Sequence, residues 1–217
     1  NVTISGNGGH GINSAFSNTD SSPMLTNVTI SGNGGHGINS EYGSSSPILT
    51  NVTISGNGGH GVSGGSPILT HVIISGNEGN GVNACSSSPT LTNVTISGNI
   101  GNGIQAYSSV TSVCGQVTST LTNTIIWGNS LSSINWEYGE YESEEINNLS
   151  EFIFITHSNI KGDTLWAGEG NINVDPLFTS PETGNFILQD SSPCIDAGTA
   201  DLNADGYDDI TDSCGLS

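Results

Sequence analysis

The amino-acid sequence predicts an all-β solenoid, a single chain wound into a stack of short coils. The first observation is a segment that occurs six times and ends each time in Gly-Asn, and its first three copies read NVTISGNGGHG without a change. Self-similarity at a period of a few tens of residues is typical of solenoids, in which each coil contacts only its neighbours. The copies start 20 to 30 residues apart, at Asn1, Asn27, Asn51, His71, Asn93 and Asn123.

The second observation is that apolar and polar residues alternate within each copy. Val28 and Ile30 flank Thr29, which is the period-two pattern of a half-buried strand. Stacking the coils aligns inward-facing aliphatic residues, each of which stabilises the fold by about 1.5–3 kcal/mol when fully buried. The predicted ladders are Val2, Val28, Val52, Val72 and Val94; Ile4, Ile30, Ile54, Ile74, Ile96 and Ile126; Leu25, Leu49, Leu69, Leu91 and Leu121; and Ile12, Ile38, Val62, Val82 and Ile104.

Two further columns are interpreted as architectural. Asparagine tolerates left-handed backbone, so we expect the Asn of each Gly-Asn to form a tight corner and to stack its amide between coils. This asparagine ladder comprises Asn7, Asn33, Asn57, Asn77, Asn99 and Asn129. In a glycine column the missing Cβ is expected to permit a second bend. Its members are Gly11, Gly37, Gly61, Gly81 and Gly103.

The return path of each coil distinguishes between types of solenoid. The string from Leu25 to Asn33 also satisfies the leucine-rich repeat pattern, which requires a helical or turn segment with further leucines on its convex side. Here the return path reads GGHGINS followed by Ser, Gly and Pro, without leucine or helix formers. A left-handed β-helix would need strict hexapeptides. We therefore predict a single-stranded, right-handed parallel β-helix whose C-terminal coils are irregular.

The charge distribution limits the partners and divides the chain. One basic residue, Lys161, stands against twenty carboxylates, for a formal net charge of −19. Phosphate binding depends on Lys and Arg, so the composition argues against nucleic acid and against an anionic membrane as partners. The acidic residues lie mostly after residue 126. We predict regular coils over residues 1–130, irregular coils over 131–198 and an acidic tail over 199–217.

Four cysteines predict two disulfides and an extracellular or cell-surface location. Cys85 and Cys114 lie in the variable segments of adjacent coils, and Cys194 and Cys214 bracket the acidic tail. None has the spacing of a metal site, and disulfides persist in oxidising compartments. The alternative is four unpaired thiols. No apolar run is long enough to span a membrane, and the chain begins within a repeat, so we expect a processed or truncated product.

After Asn129 the repeat becomes irregular, and four segments carry a family pattern. They read NTIIWGN at 123–129, HSNIKG at 157–162, GEGNINVDPLF at 168–178 and GNFILQDSSPCIDAG at 184–198. These segments resemble the last coils of secreted bacterial right-handed β-helix repeat proteins, which belong to the broad pectate-lyase-like superfamily. The resemblance covers nearly the whole chain, and the DPLF…SPCIDAG run is its most specific part. It implies an extracellular surface protein built on a β-helix.

The tail carries the pattern of a calcium-binding loop, with oxygen ligands at alternating positions and Gly at the sixth. Asp stands at the last position and no flanking helices are predicted, so the loop is similar to those of dockerins and thrombospondin type 3 repeats. We predict calcium as the cofactor, the alternative being an acidic disordered tail. The predicted ligands are Asp201, Asn203, Asp205, Tyr207 through its carbonyl, Asp209 and Asp212.

The residue content argues against catalysis. Lyases of the pectate type abstract a proton with Arg or Lys beside calcium-binding acids, whereas this chain has no Arg and Lys161 lies in a C-terminal loop. Glycoside hydrolases need two carboxylates about 5–10 Å apart, and the acids of the regular coils share no ladder position. We predict no catalytic residues and no enzymatic activity, with a polysaccharide lyase or glycoside hydrolase as the alternative.

Two polar patterns each have a structural and a functional interpretation. His10, His36 and His60 share one ladder position, and three imidazoles are able to bind a divalent metal. The ladder continues as Asn80 and Asn102, which favours a generic polar turn position. Acceptor sites for N-glycosylation fall in outward Asn/Thr columns that are also typical of β-solenoid exteriors. These sites are Asn1, Asn27, Asn51, Asn93 and Asn148.

The predicted function is structural. An open coil end presents unpaired strand edges, and head-to-tail stacking of copies is a heterologous contact that builds a filament. We predict an extracellular filament subunit or adhesin stalk, whose partners are other copies of the chain and cell-surface carbohydrate. The alternative is a carbohydrate-binding or polysaccharide-degrading β-helix protein. Such a module needs an aromatic platform in a groove, whereas the aromatic residues of the repeats fall in loops.

Overall fold

The computed structural model confirms the predicted all-β solenoid. It describes residues 1–14, 22–40, 45–85, 87–108, 118–138 and 153–202. Within these ranges the regular structure is β-strand apart from one short 3-10 helix, Pro181–Thr183. Strands of successive coils pair in parallel and in register, so the coils stack along one axis. No helix in these ranges is both long and apolar enough to cross a membrane.

Two parallel sheets form the sides of the solenoid, with strands numbered in chain order. The larger sheet contains β1 (Val2–Ser5), β3 (Met24–Ser31), β5 (Ile48–Ser55), β7 (Ile68–Ser75), β9 (Thr90–Thr92), β10 (Thr95–Ser97), β12 (Ser119–Thr122), β13 (Ile125–Trp127), β15 (Ile153–Thr156) and β16 (Asn159–Ile160). The smaller sheet contains β2 (Ile12–Asn13), β4 (Ile38–Asn39), β6 (Val62–Ser63), β8 (Val82–Cys85), β11 (Ile104–Ser108) and β14 (Ile134–Tyr138). Each coil thus crosses from the larger to the smaller sheet through its glycine-rich turn.

The four predicted aliphatic ladders form the core. Strand register places Ile30 against Ile54 and Ile54 against Ile74, and the same holds for the valine and leucine ladders. The interior members are fully buried, whereas Val2 of the first coil is 57% exposed. The core is therefore a narrow column of aliphatic side chains that is completed by each neighbouring coil.

The strands of the larger sheet bend at the first residue of each repeat. Leu25 and Val28 both point inward although they are three residues apart, which a straight strand does not allow because its side chains alternate. The chain turns between them at Asn27, which has a left-handed φ of 57°. The same conformation recurs at Asn51, His71, Asn93, Asn123 and His157.

The Gly-Asn corner differs from its prediction in one respect. The left-handed residue is the glycine, for example Gly32 with φ of 61°, and not the asparagine that follows. Glycine adopts this conformation without steric strain, and the turn then directs the Asn33 side chain into the interior, where it is 1% exposed. Amide stacking along this column is confirmed and is described below.

The second glycine column is required by close packing between coils. A Cβ on Gly61 would lie 2.4 Å from Cγ2 of Ile74 and 2.6 Å from the carbonyl oxygen of Gly81. The same two contacts recur at the other interior members of the column. The predicted need for a missing Cβ is confirmed, but its cause is the approach of the next coil rather than the backbone conformation.

A partial coil covers one end of the larger sheet. The backbone N–H of His157 donates to Glu169 and that of Ile160 donates to Ile172, at 2.7 and 3.1 Å. Asn171 is buried and donates to the carbonyl of Ile155 at 2.9 Å. The Trp166 side chain packs, half-buried, against the aliphatic core. Residues 166–174 therefore act as a cap on the edges of β15 and β16.

The C-terminal segment folds back over the outside of the larger sheet. It contains an antiparallel hairpin of β17 (Phe178–Ser180) and β18 (Asn185–Leu188). The hydroxyl of Ser192 donates to the carbonyl of Pro176 at 2.6 Å, so the two halves of the DPLF…SPCIDAG pattern contact each other. The Asn123 amide donates to the carbonyl of Thr199 at 2.7 Å and joins this segment to the sheet.

Candidate functional site

The asparagine ladder is a continuous chain of buried hydrogen bonds. The Oδ1 atom of Asn57 accepts from both the backbone N and the Nδ2 of Asn33, at 3.1 and 2.9 Å. The Nδ2 of Asn57 donates in turn to Asn77 at 2.9 Å and to the carbonyl of Ile30 at 3.3 Å. The same pattern extends from Asn7 to Asn129. Every polar atom of the interior amides is satisfied, so this column carries stability.

The histidine ladder is a second column with its own hydrogen bonds. The rings of His10, His36 and His60 stack with centroids 4.9 Å apart and interplanar angles of 15° and 8°. The backbone N–H of each following coil donates to the Nδ1 atom, from His36 to His10 at 2.9 Å and from His60 to His36 at 2.8 Å. The last imidazole, His60, accepts from Asn80 at 2.8 Å. The sequence-based interpretation as a polar turn position agrees with this geometry.

The stacked imidazoles are poorly arranged for a metal. Backbone N–H groups occupy the three Nδ1 lone pairs, and parallel rings 4.9 Å apart do not converge on one ion at the 2.0–2.1 Å of a metal–nitrogen bond. Among the described residues no group of three or more His, Cys, Asp or Glu side chains is placed to hold a metal ion.

The predicted calcium loop lies almost entirely outside the described residues. Asn203, Asp205, Tyr207, Asp209 and Asp212 belong to residues 203–217, so their positions stay a prediction. The first predicted ligand, Asp201, lies two residues after Thr199, which is hydrogen-bonded to Asn123 of the sheet. Its backbone N–H donates to the Thr199 hydroxyl at 3.2 Å.

The predicted disulfides also fall partly outside the described residues. Cys114 and Cys214 lie in undescribed segments, and only the backbone of Cys85, in β8, is described. Cys194 is half-buried, and its sulfur accepts a hydrogen bond from Nδ2 of Asn159 at 2.9 Å. Both pairings stay predictions.

The structure places four of the five glycosylation candidates on the outside of the solenoid. Asn27, Asn51 and Asn93 form the left-handed bends of three coils, and Asn1 and Asn27 are exposed. Adjacent strands are about 4.8 Å apart, so glycans on neighbouring members of this column would crowd each other. Asn148 lies outside the described residues.

The structure also contains a cleft that the sequence did not predict, between the larger sheet and the C-terminal hairpin. Its volume is about 510 Å³, within the range of small-molecule sites. Trp127 contributes to one wall, and Asp175, Glu182 and Gln189 line it from the C-terminal segment. The cleft thus combines an aromatic ring with carboxylate and amide groups.

A break in the repeat marks this cleft. One column of the larger sheet is serine through five coils, and the next coil places Trp127 against Ser97 in register. The following coil has Lys161 at this position, with its Nζ atom 5.8 Å from the centre of the Trp127 ring. The change from small serine to Trp and Lys in neighbouring coils is visible in the aligned repeats, although only the fold shows what lies opposite.

The parallel register, the two sheets and the aliphatic column identify the architecture independently of any relative. The family model for the right-handed beta helix region matches residues 1–125, which is more than half of the 217 residues. The chain belongs to the right-handed β-helix family. No curated protein matches the chain, and no solved structure does. For this β-helix protein the family establishes the coil architecture, while the Trp127 cleft and the histidine ladder are features of its own residues.

Proposed function

We propose that the protein is a non-catalytic, extracellular structural protein whose β-helix serves as a rigid stalk. The observation that carries this proposal is the repetition of the same contacts between coils, with the asparagine ladder unbroken from Asn7 to Asn129. Each coil is joined to the next by in-register strands, buried aliphatic residues and amide bonds. Such a column resists bending and spans a distance in proportion to its number of coils.

A stalk is favoured over a head-to-tail filament by the cap at the C-terminal end. A filament requires the last coil of one copy to receive the first coil of another. In the described part of the chain, residues 166–174 already bond to the edges of β15 and β16, through contacts such as Ile160 to Ile172. Self-association through these edges would require the cap to move.

Electron microscopy of the natural full-length protein tests the stalk. The expected particles are single rods of constant width, whose length stays the same over a wide range of protein concentration. Fibres that grow with concentration would support the filament instead. Compact round particles would overturn both. Assays that detect unsaturated or reducing ends released from pectin are expected to stay at the level of the buffer control.

A second function, carbohydrate binding, is favoured by one observation, the Trp127 cleft. Flat aromatic rings stack on the apolar face of a sugar, while carboxylate and amide groups accept and donate hydrogen bonds to its hydroxyls. Asp175 and Glu182, together with the net charge of −19, disfavour an anionic sugar. We therefore propose a neutral oligosaccharide as the ligand of this cleft.

Fluorescence and calorimetric titrations with cellohexaose, xylohexaose and mannohexaose test this binding. At least one sugar is expected to bind and to change the tryptophan emission, with Trp127→Ala weakening the affinity by about tenfold or more. Phe154→Ala is the matched control because Phe154 is exposed on the same sheet and does not line the cleft. No binding of any of the three sugars, or equal losses in both variants, would exclude the cleft as the site.

A further inference from the structure

The histidine ladder has a consequence beyond the stalk function. We propose that His10, His36 and His60 form an acid-sensitive contact between their coils. Its hydrogen bonds hold these coils together near neutral pH and break when the imidazoles are protonated. The later coils use Asn80 and Asn102 in the same position and stay closed. The device would make acid-induced opening of the solenoid begin at the coils that carry the histidines.

The hydrogen bonds determine which nitrogen carries the proton. A backbone N–H is always a donor, so the Nδ1 atoms of His10, His36 and His60 must act as acceptors and be unprotonated. A neutral imidazole then carries its proton on Nε2. In His10 this atom lies 3.4 Å from the side-chain amide nitrogen of Asn39.

Protonation of Nδ1 removes the acceptor of each hydrogen bond and places two donors against each other. Protonated imidazole has an N–H at both ring nitrogens, so the new Nδ1–H would point at the backbone N–H of the next coil. The rings also lie 4.9 Å apart, so neighbouring imidazolium ions would repel each other. Both effects act between adjacent coils, which is where the solenoid is held together.

The packing leaves little room for the rings to turn away. A Cβ on Gly35 would lie 2.7 Å from Nδ1 of His10, and a Cβ on Gly59 would lie 2.4 Å from Nδ1 of His36. The imidazoles therefore lie directly against the backbone of the next coil. Relief of the donor–donor contact requires the coils to separate or the ring to leave its stack.

The later coils contain the same contact without a titratable group. The backbone N–H of Asn102 donates to Oδ1 of Asn80 at 2.9 Å, and that of Ser132 donates to Oδ1 of Asn102 at 3.0 Å. Asparagine thus replaces histidine at equal hydrogen-bond length. The chain itself supplies the matched substitution, His→Asn, in which the acceptor is kept and the titration is removed.

Within the described part of the chain, few other titratable groups lie on the elements packed against the column. The elements packed against it are the glycine-rich turns at 6–11, 32–37, 56–61 and 76–81 and strands β2, β4, β6 and β8. Besides the histidines, these segments contain two titratable side chains, Glu78 and Cys85. Glu78 lies in the turn that follows His60 in the stack, and its side chain is exposed. Asp20 and Glu41, in the segments that follow β2 and β4 along the chain, lie outside the described residues.

The sign of the pH dependence follows from proton binding. The unfolded chain binds protons on its histidines below about pH 6.5, whereas the folded ladder excludes them from Nδ1. Acid therefore favours the open coils. The contribution of the ladder is fully present above this range and is lost as the pH falls through it.

Hydrogen–deuterium exchange at about pH 7.5 and about pH 5 tests the proposal, with intrinsic exchange rates corrected for pH. The amides of His36, His60 and Asn80 in the natural protein are expected to lose about tenfold or more of their protection in acid, and Asn102 to keep its protection. The triple variant His10→Asn, His36→Asn, His60→Asn is expected to retain protection at both pH values. Equal acid sensitivity in the variant, or equal loss at Asn102, would overturn the proposal.

A second measurement stays decisive if the triple variant fails to fold. The nitrogen-15 chemical shifts of the imidazoles in the natural protein report the tautomer directly. Near neutral pH, unprotonated Nδ1 and protonated Nε2 are expected on His10, His36 and His60, with His71 outside the ladder as the internal reference. Protonated Nδ1 on the ladder histidines near neutral pH would refute the proposed acid-sensitive contact.

Discussion

Single residues of this solenoid act between coils, so one substitution affects a contact on each side of it. Asn57 accepts two hydrogen bonds from Asn33 and donates to Asn77. Gly61 lies against both Ile74 and Gly81 of the next coil. The repeated pattern identified both columns as architectural. The contacts show which atoms each column satisfies.

Asn57→Ala is expected to lower the free energy of unfolding by about 2–4 kcal/mol, because both Asn33 donors would lose their acceptor at about 1–3 kcal/mol each. Denaturant unfolding followed by circular dichroism measures the change. Asn51→Gly is the control, since Asn51 is exposed and has a left-handed φ of 55° that glycine adopts without strain. A smaller loss for Asn57→Ala than for this control would contradict the role of the ladder.

Gly61→Ala is expected to destabilise the protein by about 1–3 kcal/mol or more, because the added methyl group overlaps Ile74 and the backbone of Gly81. Gly9→Ala serves as the comparison, since nothing lies within 4 Å of a Cβ at Gly9 and its φ is not left-handed. Thermal unfolding of the two variants should separate them clearly. Equal melting temperatures would mean that the next coil accommodates the added methyl group without a loss of stability, which would contradict the prediction.

Elements of this chain owe their stability to their neighbours along the solenoid axis. A strand such as β4 has only two residues, Ile38–Asn39, and forms because β2 and β6 pair with it on both sides. The strands β15 and β16 lack a full coil on one side and instead bond to the cap of residues 166–174. The cap is therefore the element on which the C-terminal edge depends.

Asn171→Ala tests the cap as an element. The variant loses two hydrogen bonds, one from Nδ2 of Asn171 to the carbonyl of Ile155 and one from the backbone N–H of Ser158 to Oδ1 of Asn171. Exchange protection should therefore fall in β15 and β16 and stay unchanged in β5. Asn173→Ala is the matched control because Asn173 bonds to Gly162 near the surface. Unchanged protection in β16 would show that the edge is stable without the cap.

At the scale of the whole molecule, regular coils with few charged residues are joined to an acidic C-terminal region. Seventeen of the twenty carboxylates follow residue 126, and the segment that leads to residue 202 is held on the sheet by Asn123 and Thr199. A cation bound beyond Asp201 would reduce the electrostatic repulsion among these carboxylates.

Calcium is expected to raise the melting temperature, with a stabilisation of about 2.7 kcal/mol at about one hundred times the dissociation constant. Differential scanning calorimetry with calcium, magnesium or a chelator measures this effect. Asp205→Ala should abolish the shift, and Asp190→Ala, outside the loop pattern, should retain it. The same melting temperature in calcium and in chelator would rule out the predicted loop.

The sequence by itself determined the architecture, because a repeated inward aliphatic pattern has one efficient way to be buried, which is to stack in register. It also identified the asparagine and glycine columns, although it assigned the left-handed conformation to Asn33 where Gly32 adopts it. The bend at Asn27 was also open to prediction from the three-residue spacing of two inward residues. These features are local and repeat in every coil.

Only the tertiary structure decided where the irregular segments pack against the repeats and which atoms meet in the histidine ladder. It brought the C-terminal hairpin against Trp127, capped β15 and β16 with residues 166–174, and directed backbone N–H groups onto the Nδ1 atoms of the histidine ladder. The reason is physical. A repeated pattern specifies the contacts of a coil with its neighbours, whereas a non-repeated segment finds its place by packing against a surface that exists only after the coils have stacked.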